Sequence, residues 1–527
     1  MLKIDALGAR SVGAASAFPF RLGAHEGQSV RMVQQSISAD ADSNRVIILG
    51  SGMAGLATAL ALKGSGKQVL VLERDEHAVV DDPKTAFETW QRPGVPQLHH
   101  THIFLGRLRN ILRDKHPELL EELYRAGLNS AGMEEVLPPG QVAGYQPEQG
   151  DDDLLHLWGR RATFEYVLRS HVEKLPHVSF RWGVRVEGLI VQRDREQLRV
   201  TGVEIKAGGQ SEMLSADTVV DSLGQFSKCI EQLRSQGAQI DTYLEPSACA
   251  YYCKHYQLDE TAKRNSRGGT GTNIDYLIAG LFFAEADTFS IAFTCREDDE
   301  QLKATLRSPD GFDRVCNRIP GLSRWTEHAE PLTRVLGGAG LKNRWQHFPK
   351  QASKVVLGYF PVGDSHIQTN PIYGRGCSMA FVQAHAFAEA LANEPDPAKR
   401  SLRYFASAKR LLKAHFEFCV TGDRTFLART KRAHGEALEV RDRVLLAAYD
   451  VVIPSIDGDR TIAKEWLRGQ QMLEAAPPGR ALAMLWVVAM RIVFGLMFRR
   501  KLPALAPPPK RDALIEQTPS QQPGQAV

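Results

Sequence analysis

What the chain lacks narrows it first. Its seven cysteines (Cys229, Cys249, Cys253, Cys295, Cys316, Cys377, Cys419) are odd in number and scattered, with no C-x-x-C pair, so they read as reduced thiols of a cytoplasmic protein, without a disulfide framework or a zinc site. The formal charge is only +4 on 527 residues, too little to imply a nucleic-acid partner. No apolar block of signal-peptide length precedes Asn44, so no export is expected; residues 1–43 mix Ser, Ala, Gly and Gln with scattered charge, read as a disordered arm, and leave Met1 or Met32 as the start. At 43% hydrophobic and 24% charged, the remainder is ordinary globular composition with room for two or three domains.

The most informative stretch begins at Arg45. Val46-Ile47-Ile48-Leu49 reads as a buried parallel strand, and Gly50-Ser51-Gly52-Met53-Ala54-Gly55 opens an Ala/Leu-rich helix. Gly50 permits the tight turn, Gly52 lets the backbone approach a pyrophosphate, and Gly55 lets helix and strand pack closely; the helix N-terminus offers N–H donors to phosphate. A second apolar run, Gln68 to Leu72, ends at Glu73, 18 residues past Gly55. That is near the spacing expected of the acid that holds an adenosine ribose, so strand, turn, helix, strand and acid together indicate a dinucleotide site.

Downstream, Gln91 to His102 holds His99, His100 and His102 in a Pro- and Gly-containing loop. Metal ligation would need a carboxylate or thiolate partner at ligand spacing, and none is nearby, so no metal is expected; the loop is placed to line a cofactor cleft. Val178–Val186, Gly188–Arg193 and Leu198–Ile205, with a Gly208-Gly209 turn, read as a small meander leading to a buried strand at Asp217–Gly224. From Tyr243 to Trp345 alternating runs such as Tyr276–Ala284 and Thr288–Thr294 suggest a second sheet domain that could cover a substrate. A strand over Lys354–Ser365 ends in Gly363-Asp364, and Pro371 to Gly376 precedes a helix to about Ala392. Beyond Glu394 the chain reads as helical and charged. Ala481–Phe498 is apolar but broken by Arg491, short of the roughly 20 apolar residues of a span; a buried or cleft-covering helix, a helix in the membrane interface and a span all stay open.

Taken together, the Gly50–Gly55 turn with Glu73, the Asp217–Gly224 strand, and Gly363-Asp364 with Pro371 and Gly374-x-Gly376 resemble the FAD-dependent monooxygenases of the p-hydroxybenzoate hydroxylase type over roughly Asn44–Leu391. The Arg92-x-Gly-x-Pro-Gln97-x-x-His100-x-His102 segment and Asn370-Pro-x-Tyr-Gly-x-Gly look closest to the bacterial squalene-epoxidase-like and polyether-epoxidase branch. The strand block departs from the family's usual Asp-Ala-x-Gly at Ser222, and Ser365 stands where Ala is common; neither change removes a charge or a required glycine.

That resemblance implies an α/β fold: a Rossmann-like FAD-binding domain (44–242 and 346–393) with an inserted β meander, a second mixed-sheet substrate domain (243–345), a helical C-terminal region (394–502) and a disordered tail (503–527). It implies that Glu73 binds the adenosine ribose, Arg161 contacts FAD near its pyrophosphate, Asp364 holds the ribityl or pyrophosphate portion, and the Pro371–Gly376 turn presents N–H groups to the flavin pyrimidine edge. Gly50, Gly52, Ala54, Gly55, Arg74, Arg92, Gln97, Gly374 and Gly376 complete the cofactor set, and His100 and His102 are the catalytic candidates beside the flavin.

The implied activity is insertion of one oxygen atom, from molecular oxygen through a flavin C4a-hydroperoxide, into a lipophilic small molecule by epoxidation or hydroxylation. Gly337-Gly338-Ala339-Gly340 lacks a preceding apolar run, so electrons are expected from transient NAD(P)H, directly or through a flavin reductase. A geranylgeranyl-reductase-like enzyme and a non-catalytic flavoprotein anchored through 481–498 at the cytoplasmic face of a membrane are the alternatives. None of the seven tryptophans forms the Trp-x-Trp-x-Ile-Pro signature of flavin halogenases.

Overall fold

The computed structural model describes residues 44–78, 80–194, 197–259, 271–319, 321–473 and 509–516. Arg45–Leu49 (β1) is followed by Met53–Ala61 (α1) and then Gln68–Leu72 (β2). Arg161–Glu173 (α2) buries Phe164 and Leu168 in the core shared with Leu56 and Leu60 of α1. Thr218–Asp221 (β3), buried at every position, then enters the sheet on the other side of β1. The chain returns to this sheet much later with Tyr359–Pro361 (β8).

These strands make a parallel sheet in the order β8, β3, β1, β2, Val178–Arg181. Its register pairs Leu49 with both Leu72 and Asp221, and Asp221 with Pro361. Four strands therefore end level with one another, and Gly50, Glu73, Ser222 and Gly363 sit together just past that edge. This is the crevice at the carboxyl ends of strands where open α/β sheets bind ligands.

A meander is present with its strands shifted from those expected: Val178–Arg181 belongs to the parallel sheet beside β2, Val184–Asp194 runs through the expected break at Glu187, and the antiparallel sheet is Val184–Asp194, Gln197–Ala207 and Gln210–Ser215. Its second turn needs two residues at positive φ, and Gly208 and Gly209 supply them at 55° and 85°.

The second large sheet joins Cys249–Leu258 (β4), Leu277–Phe283 (β5) and Thr288–Arg296 (β6), with Gly271–Ile274, Ala329–Pro331 and Leu336–Gly338 at its margins. Alternation gives it two unlike faces. Tyr252, Ala279, Leu281, Ile291, Phe293 and Cys295 pack on the helices Glu300–Arg307 and Pro309–Arg318, whose Leu302, Leu306, Phe312 and Val315 are fully buried. Register puts Tyr251, Thr294 and Ile278, then Cys253, Ala292 and Gly280, then His255, Ser290 and Phe282, on the opposite face.

Three corrections to the expected layout follow. Boundaries at 243 and 345 would cut through Asp241–Pro246 and Lys342–His347 (β7), which pair with each other and, through β7, with Ile367–Gln368; this three-stranded sheet ties the two parts together. The extended run expected over Lys354–Ser365 shrinks to β8 and a 3-10 turn at Gly363–Ser365, because Gly358 and Gly363 take φ of 72° and 73° on either side. Part of the tail expected to be disordered is ordered: Arg511–Ile515 is helical, Leu514 is fully buried in the core behind β4–β6, and Arg511 pairs with Asp299 at 2.8 Å.

From Gly376 to Gln470 the described chain is helical, as expected: Gly376–Asn393 (α3), Pro397–Ala433 (α4), Val440–Gly458 and Arg460–Gln470 (α5). Asp396 caps α4 by accepting from the Lys399 N–H at 2.8 Å, and Pro397 supplies the first helical φ. The arm 1–43 and the apolar segment 481–498 lie outside the described residues, and among the described residues no helix is long and apolar enough to cross a membrane.

The docked tail gives a stability prediction. Leu514→Ala is expected to cost about 2–5 kcal/mol in denaturant unfolding, the range for a fully buried leucine; a cost under about 0.5 kcal/mol, ordinary for a surface position, would show that the tail does not dock in solution.

Candidate functional site

The first wall of the site is the turn between β1 and α1. Gly50 takes φ +93° and donates its N–H to Leu72 O at 2.8 Å. A Cβ on Gly55 would lie 1.9 Å from Gly50 O, so the helix could not approach the turn with any side chain there. A Cβ on Gly52 would meet nothing within 4 Å, and Gly52 caps α1 without a side-chain oxygen. The first N–H groups of α1 are thus left to an external acceptor, which an anion best supplies.

The second wall is a buried chain of charges. Glu73 Oε2 accepts from Ser51 N at 2.8 Å, Ser51 Oγ at 2.6 Å and Arg92 Nη2 at 2.8 Å. Arg92 also contacts Glu165 through Nη1 and Asp75 at 3.4 Å, and Glu165 in turn accepts from Arg161 Nε at 3.2 Å. The side chains of Arg92 and Glu165 are 2% and 0% exposed, so each charge relies on its neighbours instead of water. Burial raises the Glu73 pKa, but Arg92, Ser51 and Asp75 outweigh it and hold the carboxyl below its ordinary 4.5. Among the described residues Glu73 Oε1 accepts only from Asp75 N, at 3.0 Å, and keeps capacity for a ribose hydroxyl. A cavity of about 500 Å³ opens beside this wall, lined by Asp75, Glu76, His77, Trp90, Gln91 and Pro93.

The histidine loop crosses from this wall to the second sheet. His255 Nε2 donates to His99 O at 3.1 Å, Thr101 Oγ1 donates to Ser290 Oγ at 2.8 Å, and His100 Nδ1 contacts the Tyr251 hydroxyl. His102 Nδ1 donates to His100 O at 2.9 Å, leaving Nε2 to accept from Arg161 Nη1 at 3.3 Å. Burial first, then neighbouring cations, lower His100 to about 4 and His102 to about 3, so both are neutral at pH 7. Burial pushes the Tyr251 phenol up, so it keeps its proton.

The last block closes the site. A Cβ on Gly363 would sit 2.7 Å from Ala54 Cβ, which fixes how near this turn comes to α1. Asp364 is half-buried, and desolvation raises its pKa although Arg161 and Arg344 act against that; no described residue hydrogen-bonds its carboxylate. Asn370 Oδ1 accepts from Ile372 N at 3.2 Å, which shapes the turn that carries Pro371, and Gly374 adopts φ +65°. Gly376 begins α3, and a Cβ there would meet nothing within 4 Å.

Most of the expected residues therefore share one crevice: Gly50, Gly52, Ala54, Gly55, Glu73, Arg92, Arg161, Asp364, Pro371, Gly374 and Gly376, with His100 and His102 across it. Arg74 stands apart, its side chain 57% exposed and 3.7 Å from Asp75. Gln97 is half-buried, and its carbonyl accepts from His100 N at 3.1 Å. Chain reading missed Glu165, Tyr251 and Asp423. Glu165 carried a signal, standing four residues after Arg161 on one helix face. Asp423, on α4, carried none; it accepts from Asn343 and Asn370 at 2.7 Å each and from Tyr373 at 3.0 Å, and so holds the Asn370–Gly376 turn from behind.

The buried acids and open helix ends suit FAD: backbone donors face where a pyrophosphate would lie, Glu73 and Asp364 have acceptor capacity for ribose and ribityl hydroxyls, and the glycines clear the path. Because the Glu73 pKa is lowered on folding, its stabilisation is complete above about pH 4.5 and fades as the pH falls through the lowered value. The stability gap between the wild type and Glu73→Gln should therefore narrow on acidification from about pH 5 to about pH 3; a gap of constant size in denaturant titrations would contradict the assigned ion pairing.

Comparison with known proteins agrees with this geometry. Residues 45–250 match the family model described as FAD binding domain. No curated protein matches the chain in sequence. Among solved structures, the flavin-dependent brominase Bmp2 superposes with a TM-score of 0.58 at 18% identity, covering 85% of this chain and 98% of that one. The p-nitrophenol 4-monooxygenase PnpA from Pseudomonas putida DLL-E4 gives 0.56 at 18%, with 82% and 99% covered. The anhydrotetracycline hydroxylase OxyS from Streptomyces rimosus gives 0.52 at 14%, with 82% and 77% covered. At these identities what is shared is the fold: the chain carries a match to an FAD-binding domain over residues 45–250, within a fold that it shares with these flavin-dependent enzymes.

Proposed function

We propose that the protein is an FAD-dependent monooxygenase that places one oxygen atom, by epoxidation or hydroxylation, on a lipophilic small molecule. The observation that carries this is the convergence of three distant blocks on one sheet edge, opposite the half-buried face of β4–β6 that bears Tyr251, Ile278, Gly280, Phe282 and Ala292. Four of these five residues are apolar or lack a side chain, which favours a substrate with little charge. The bacterial squalene-epoxidase-like branch that the motifs resemble fits the same chemistry.

When bound, reduced FAD supplies the electrons that activate molecular oxygen. The chain's own residues do the rest. With FAD bound, N–H groups at the starts of α1 and α3 would meet its anionic parts, Glu73 would accept from the adenosine ribose, and Asp364 would accept from the ribityl chain. His102, oriented by Arg161, holds the His100 carbonyl; His100 and Tyr251 clamp the loop to the sheet and keep water out. Neutral at pH 7, His100 and the Tyr251 phenol offer a proton donor and an acceptor without adding net charge to the pocket. NAD(P)H serves as the transient electron donor, directly or through a reductase.

Two measurements bear on this. With a panel of lipophilic alkenes and aromatics, isotopically labelled molecular oxygen and NAD(P)H with a flavin reductase, the label should appear in the product. Reduction of an alkene under anaerobic conditions would replace this reading with that of a reductase, and silence across the panel would favour a non-catalytic flavoprotein. The second concerns Asp364. Since folding raises its pKa, the apoprotein loses stability as the pH rises through that value, and Asp364→Asn removes the loss. The variant apoprotein should melt above the wild type at pH 7 but not at pH 4, while its FAD dissociation constant rises at least about tenfold, roughly one lost hydrogen bond to a charged group; equal FAD affinity would remove Asp364 from the cofactor site.

A further inference from the structure

Of the seven large apolar side chains exposed among the described residues, three share the helix Val440–Gly458: Val440 at 76%, Val444 at 63% and Val452 at 36%. With 3.6 residues to a turn, Val440, Val444, Ala447 and Val451, spaced by four, three and four, fall on one line along that helix. Ala447 is exposed with the two valines and Val451 is half-buried. The helix is already anchored by its other side. Asp442, Leu446, Tyr449 and Ile453 repeat the same spacing about half a turn away. There Leu446 is buried, Asp442 accepts from Lys431 Nζ at 2.9 Å, and the Tyr449 ring lies 4.5 Å from the Arg429 guanidinium.

A helix apolar along two opposite lines has work for two partners, and among the described residues only the inner line has one. The outer spacing is that of the d and a positions of a heptad, by which one helix packs on another while charged e and g positions set orientation. In this register Val440 and Ala447 are d, Val444 and Val451 are a, Arg443 and Asp450 are g, and Arg441 and Ala448 are e. A parallel copy would set g against e, so Arg443 would meet Ala448 and gain nothing. An antiparallel copy turns each flank towards itself: Arg443 meets Asp450 of the second copy twice, by symmetry, and Arg441 meets Ala448. Arg443 is exposed with no ion pair among the described residues, and the Asp450 side chain is 51% exposed although it also accepts from Arg432 Nη1 at 2.8 Å. Both charges are therefore within reach of a second molecule.

We propose that the outer face of Val440–Gly458 is the surface through which two copies of this chain pair, antiparallel about a twofold axis that passes between Leu445 and Leu446. Val444 then lies against Ala447 of the second copy, Val440 against Val451, and Arg443 against Asp450. The contact is isologous, so it closes at two copies. From 440 to 451 the seam is about 17 Å long. That is short of the roughly 800 Å² per partner of a standard interface, so the pairing is reversible.

Sedimentation equilibrium of the full-length protein tests this. From about 1 to about 100 µM, where a contact below standard size populates both species, the wild type should show a reversible monomer–dimer equilibrium. Val444→Glu puts two carboxylates into the seam and should raise the dissociation constant at least about tenfold. Arg443→Asp sets like charges together in both flanking pairs and should raise it at least about fivefold, an effect that added salt reduces. Cysteines then read the orientation. Positions 440 and 451 of one helix lie about 17 Å apart, beyond disulfide reach, so under oxidant Val440→Cys with Val451→Cys should give a covalent dimer and Val440→Cys alone should not. A monomer at every concentration would overturn the proposal and leave the face to another occupant, residues 481–498 or a different protein. A dimer whose dissociation constant neither Val444→Glu nor Arg443→Asp moves would overturn it as well, and a covalent dimer from Val440→Cys alone would overturn the antiparallel arrangement.

Discussion

The rest of the structure depends on the buried ionic chain Glu73, Arg92, Glu165 and Arg161. It joins the end of β2, the loop before the histidines and the first turn of α2, three segments that share no local sequence. Because Arg92 and Glu165 are cut off from water, removing either leaves the other buried with fewer partners, Arg92 with Glu73 and Asp75 or Glu165 with Arg161 alone, so the loss stays below the about 3–5 kcal/mol of a fully stranded buried charge. From Arg161 the chain passes to His102 and, through the loop, to Tyr251 on the second sheet. One connected set of polar contacts thus runs from where the adenosine end of FAD would sit to where a substrate would be covered.

A second constraint works from the opposite side. The Asn370–Gly376 turn is pinned by Asp423 from α4, while Gly374 packs against Ile103 closely enough that a Cβ would lie 2.5 Å from its Cγ2. The C-terminal helices therefore back this turn: α4 supplies Asp423, His415 and Phe418, and α5 supplies the Gly469 carbonyl. Two charged groups on this wall have no direct ion pair among the described residues, the half-buried Asp364 carboxylate, which feels Arg161 and Arg344 at longer range, and the buried Arg375 guanidinium. Such groups weigh on the apoprotein and gain partners when a ligand arrives, which is the usual relation between stability and function at a binding site.

How much of this could be read along the chain depends on range. The β1 turn and Glu73 rest on local pattern, apolar runs and glycine at fixed spacing, and their positions agree with the structure, whereas the meander's strands are shifted because Val178–Arg181 pairs with β2 instead. Gly363-Asp364 and Gly374-x-Gly376 were recognisable as a motif, but their distance from Gly50 is closed only by the sheet register that sets Pro361 beside Asp221. Tyr251 and Asp423 were not legible, because a tyrosine in an alternating strand and an aspartate in a long charged helix look like solvated or core positions until a partner from another part of the chain meets them. The docking of Leu514 escaped for a related reason: a short helix after a proline-rich stretch has no amphipathic length from which to read a buried face.

The central claim is that these separated segments close around one FAD. Titration of the purified apoprotein with FAD, followed by the flavin absorption band and by quenching of flavin fluorescence, tests it most directly. The account predicts saturation at one FAD per chain with Glu73→Ala and Arg161→Ala both binding more weakly; a protein that stays colourless with FAD in excess, or that binds it equally well without Glu73 and Arg161, would contradict it.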